Sequence, residues 1–132
     1  MAKFTIETTY RLPVFRQRSY EADTLEAVCR LAIEDDDWSD QEEDYESSGE
    51  TYVTGIWPGD TQPYSVPALA IPVQFVETFQ RKSEHFEVLL GLLKVFAHAP
   101  DGGPADAPFW RERADAAIAK AEAILADARD PA

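Results

Sequence analysis

Three features of the sequence predict an α+β fold. Runs of β-branched and aromatic residues with period two occupy the first 60 positions. A capped helix start stands at Asp23, and two long apolar repeats of alternating spacing four and three follow residue 73. The expected architecture is a single domain over residues 1–132. Its β-rich acidic part (1–60) forms a small, mostly antiparallel sheet with one short helix. Its two-helix part (73–130) forms a C-terminal antiparallel helical hairpin packed on that sheet.

The elements follow in order. Phe4, Ile6 and Thr8 share one parity against Lys3, Thr5 and Glu7, which predicts a strand over 3–10. Pro13 cannot donate to a ladder, so a second strand is expected after it, over 14–21. Asp23 with Glu26 three residues later makes a capping box. Leu25, Val28, Cys29 and Ala32 then follow helical spacing to about Asp35. Cys29 on that apolar face reads as a packing residue rather than a nucleophile. Residues 44–50 read as a strand end and turn, and 51–57 as a strong strand stopped by Pro58-Gly59. Tyr52 and Trp57 are candidate core residues. Prolines at 63, 67 and 72 make the next stretch loop or extended chain.

From Val73 the period changes. Phe75, Phe79, Lys82, Phe86, Leu89, Leu93 and Phe96 predict an amphipathic helix of about 24 residues with an aromatic-rich face. Pro100 to Pro104 ends it. Pro108 suits the first turn of a last helix, whose face is Trp110, Ala114, Ala117, Ala121, Ile124 and Ala128. Small alanines let two helices approach closely.

Composition narrows the function. The net charge is -13, from 25 acids and 12 Lys and Arg. Such a chain repels nucleic acid and anionic membranes, so no direct nucleic-acid or membrane partner is expected. Cys29 is the only cysteine, which excludes an intramolecular disulfide and fits a reducing compartment. With no signal-peptide pattern and no span-length apolar run, a cytoplasmic location is expected.

The charge is local. No Lys or Arg lies between Leu31 and Gln80, while 34–50 holds ten acids. Glu34 to Asp37 stand at the negative end of a helix dipole, where acids destabilise. A local rule broken without visible compensation points to function. The candidate partner-binding residues are therefore Glu34, Asp35, Asp36, Asp37, Trp38, Asp40, Glu42, Glu43, Asp44 and Glu46, with Trp38 as an exposed aromatic anchor.

Chemistry-bearing motifs are absent. His85 and His98 are too distant from each other and from Cys29 for structural zinc. Asp35, Asp37, Ser39, Gln41, Glu43 and Glu46 fall at the ligand positions of a calcium-binding EF-hand loop. The glycine position, however, is Asp40, which denies the sharp turn. No nucleophile elbow, phosphate-binding loop or dinucleotide fingerprint occurs. No catalytic residue, metal site or cofactor is expected, and the chain reads as a non-enzyme.

The runs Phe4–Pro13, Ala32–Ser39 and Tyr45–Trp57 resemble a family of small acidic proteins carried on proteobacterial plasmids and integrative elements. That resemblance covers the first half of the chain and brings no functional residue with it. It implies a mobile-element context, in which small acidic proteins blunt host defence. The expected function is a noncatalytic interaction protein, a DNA mimic that inhibits a basic or DNA-binding defence protein of the restriction or CRISPR kind. The alternative is a structural or regulatory module that forms a homodimer through Phe75, Phe79 and Phe86, with the acids as a solvated surface.

Overall fold

The computed structural model describes residues 1–132 and has a mixed α+β fold. The chain divides into two compact units, Met1–Thr9 with Thr51–Ala132, and Tyr10–Glu50.

In the first unit, β1 (Phe4–Thr9) pairs antiparallel with β4 (Tyr52–Pro58). The register places Thr5 opposite Trp57 and Glu7 opposite Gly55. A bulge at Thr54 shifts the pairing before Thr8 meets Val53. The covered face of this ribbon is its polar one. Phe4 and Ile6 are about half exposed, while Thr5, Glu7 and Thr9 are the more covered parity. The reason lies across the ladder. Trp57, 1% exposed, sits on the Thr5 side, and its indole lies against Gly55. Tyr64 stands edge-on to Trp57 at 4.9 Å between ring centres. Tyr64 adopts a left-handed backbone, φ 69°, and donates its hydroxyl to both oxygens of Glu7 at 3.0 and 3.1 Å. Thr54 donates to Glu7 Oε1 at 2.6 Å, so both carboxylate oxygens have a partner. Trp57 is core as predicted; Tyr52 is half-buried.

The same unit ends in two helices, α2 (Thr78–Ala97) and α3 (Ala107–Leu125), which pack on each other. A single 3-10 turn, Val73–Phe75, precedes α2, so the helix starts five residues later than predicted. Pro108 lies in the first turn of α3, as its fixed φ favours. The alanine face of α3 is the packed one, with Ala117 and Ile124 buried. On α2 the aromatic face is the exposed one. Phe79, Phe86 and Leu93 are 71%, 64% and 66% exposed, and the residues turned inward are Arg81 and His85, each 5% exposed. His85 Nε2 donates to the Ala117 carbonyl at 2.7 Å. Arg81 donates to the Ala128 carbonyl at 2.9 Å and to Asp130 at 3.1 Å, holding the chain after α3 against α2. The main contacts between elements are strand with strand and helix with helix, rather than hairpin on sheet.

In the Tyr10–Glu50 unit, β2 (Val14–Phe15) pairs antiparallel with β3 (Glu42–Glu43), and α1 spans Leu25–Glu34. The β region is thus two two-stranded ribbons rather than one sheet. The N-cap of α1 is Thr24, whose hydroxyl accepts from the Ala27 amide, one residue later than the predicted Asp23. Cys29 is exposed, contrary to its predicted packing role, because α1 buries none of its residues.

Candidate functional site

Residues 16–21 make no ladder, yet they keep the alternation of a strand. Arg16, Arg18 and Tyr20 are half-buried, while Gln17, Ser19 and Glu21 are exposed. Three long polar side chains therefore project to one side, toward the loop that follows α1.

Arg16 fills the C-terminal end of α1. Its guanidinium donates to the carbonyls of Ala32 at 2.9 Å, Asp35 at 2.6 Å and Asp37 at 2.5 Å. These include carbonyls that a helix end leaves without partners. The same guanidinium lies over the Trp38 ring at 3.9 Å. This is the compensation that the acids at the end of α1 require: a buried cation placed at the negative end of the helix dipole.

Arg18 gathers three carboxylates. It donates to Asp35 at 2.9 Å and Asp40 at 2.6 Å, and forms an ion pair with Asp37 at 3.3 Å. Asp35 also accepts from the Tyr20 hydroxyl at 2.6 Å and from the Asp37 amide at 3.0 Å. The Tyr20 hydroxyl, the Asp37 amide and Arg18 together hold the Asp35 carboxyl far below the usual carboxylate range. The hydrogen bonds from Ser39 lower Asp37, and that from Arg18 lowers Asp40. The bond to Asp35 raises Tyr20 above its ordinary value. At neutral pH this is a fixed array of ionised aspartates about one guanidinium.

The ten predicted residues thus separate into two groups. Asp35, Asp37, Trp38 and Asp40 converge on Arg16 and Arg18 and shape the loop. Trp38 is 44% exposed, its other side being covered by the guanidinium. Glu34, Asp36, Glu42 and Glu46 are exposed and make no ion pair. Glu43 and Asp44 lie between these groups. Glu43 is exposed and accepts from the Tyr45 hydroxyl at 2.5 Å. Asp44 caps the 3-10 turn Tyr45–Ser47 through the Glu46 amide at 3.1 Å.

The sequence reading missed Arg16, Arg18 and Tyr20. Their signal was present: three polar residues at period two outside the acidic run, two of them opposite in charge to it. The potential calcium positions Asp35 and Asp37 are turned to these arginines, and no group of three His, Cys, Asp or Glu converges to hold a metal. No helix is long and apolar enough to cross a membrane.

No family model, curated protein or solved structure matches the chain.

Proposed function

We propose that the Tyr10–Glu50 unit is a noncatalytic acidic module that binds a basic protein in place of a polyanion. In its sharp form it is a DNA mimic that inhibits a DNA-binding defence protein of the anti-restriction or anti-CRISPR type. One observation carries the reading. This unit holds thirteen acids and four arginines, a net charge of -9 in 41 residues, and its most buried cations, Arg16 and Arg18, are turned inward to order the loop. On the pre-shaped segment 34–50 the outward charge is carried by acids alone. A site built of Lys and Arg for phosphates accepts such carboxylates, and preorganisation lowers the entropy lost on binding. The resemblance to mobile-element proteins, which rests on the quoted runs, agrees with a defence-directed role.

The test separates outward acids from scaffold acids. Glu34→Gln, Asp36→Asn, Glu42→Gln and Glu46→Gln are combined, leaving Asp35, Asp37, Asp40 and Asp44 intact. Tagged wild type and variant are used to capture proteins from a host lysate at low and high salt. The expected catch is a DNA-binding protein, held by the wild type only, at low salt only, and released by duplex DNA. Equal capture by both forms would overturn the reading, as would capture that salt and DNA leave unchanged.

A further inference from the structure

Independently of the acidic module, we infer that the exposed stripe of α2 is a self-association surface whose occupant is α2 of a second copy of this chain, related by a two-fold axis.

Area is the first argument. The chain exposes 10402 Å², whereas a compact body of its mass exposes about 7,000 Å². Two fully separated compact bodies with the masses of the two units would expose only about 8,300 Å². The surplus of roughly 2,000 Å² per chain is thus apparent however the units are placed, and it leaves room for the about 800 Å² or more per partner that a stable interface covers.

Periodicity is the second. Phe79, Phe86, Leu89, Leu93 and Phe96 recur at spacings of seven, three, four and three along a helix about 30 Å long. All are at least 38% exposed. This is the seam that an α-helix presents to another helix of the same period. Helix α3 lies against the adjacent side of α2 through His85, Arg81 holds the chain that follows α3, and the seam residues stay exposed. A two-fold contact needs one patch that matches itself, and a repeating apolar seam does so.

Charge is the third and selects a second copy. Two chains of -13 repel. Helices α2 and α3 together hold six bases and five acids, so the pair is at +1 while the remainder of the chain is at -14. The helical pair is where two copies approach with least repulsion. Lys82, within the seam, is the one charge on it, and its sign opposes that of the chain.

Sedimentation equilibrium from 1 to 100 μM tests this, at 0.15 and 1 M salt. The wild type is expected at twice 14.8 kDa in both salts, because apolar burial is not screened. Phe86→Glu with Leu93→Glu should raise the dissociation constant at least 100-fold. A milder variant, Phe79→Ser with Phe86→Ser and Leu93→Ser, should do so with the helical circular dichroism retained. Leu25→Glu, at a still more exposed apolar residue of α1, should leave the dimer intact. A monomeric wild type at 100 μM would overturn the inference. So would a dimer that survives the folded serine variant.

Discussion

Arg18 donates one guanidinium nitrogen to Asp35 and another to Asp40, five residues apart on the loop after α1. The pairing turns a run of like charges into a closed loop with a cation at its centre. Removing the cation leaves the aspartates facing one another. Arg18→Ala is expected to loosen residues 35–41 selectively. Amide exchange should accelerate at Asp37 and Ser39, whose N–H groups bond Asp35 and Asp37, while β1 and β4 keep their protection. Unchanged exchange at both amides would refute the role given to Arg18.

The same loop sets an acid limit. The Asp35 carboxyl is lowered in the fold, by the Tyr20 hydroxyl first, then the Asp37 amide and Arg18. A lowered carboxyl stabilises the folded state fully above its unfolded value, near pH 4, and that stabilisation is lost as the pH falls toward the folded value. Denaturation midpoints should therefore be flat from pH 7 to 5 and fall below pH 4. Asp35→Asn should lower the midpoint at pH 7 and flatten the fall. A carbon-13 titration of the aspartate carboxyls checks the assignment.

Two glycines give opposite expectations. A Cβ on Gly55 would run into the Trp57 ring, so Gly55→Ala must displace the one large side chain that is fully buried. Overpacking of this kind costs about 1–3 kcal/mol. Gly91, inside α2, has nothing within 4 Å of its would-be Cβ. Gly91→Ala should stabilise by about 0.5–1 kcal/mol, from helix propensity alone. Urea melts followed by tryptophan fluorescence and by circular dichroism measure the two effects.

His85 and Arg81 are the polar centre of the helical pair. His85→Leu keeps bulk but removes the donor to the Ala117 carbonyl, at an expected cost of about 1–3 kcal/mol in a urea melt. Arg81→Ala should free the chain after Leu125 without melting α2 or α3. Limited proteolysis should then cut after Arg129 faster than in the wild type, which tests the bonds to Ala128 and Asp130.

Local physics made much of this fold legible. The α+β class, the strand stopped at Pro58, the proline-started α3 and its alanine face all follow from period and turn chemistry, which act within a few residues. So does the concentration of charge in 34–50. Tertiary structure decided what those signals do not encode. A period marks a stripe but not its partner. The α2 stripe is legible as an aromatic face, yet α3 lies beside it, because His85 finds the Ala117 carbonyl there and Arg81 ties down the chain that follows α3. The parity of β1 was settled across the ladder by Trp57, Gly55 and Tyr64. The acids after α1 looked uncompensated because Arg16 and Arg18 lie about twenty residues earlier, and only the folded chain brings a guanidinium to a carboxylate at that separation.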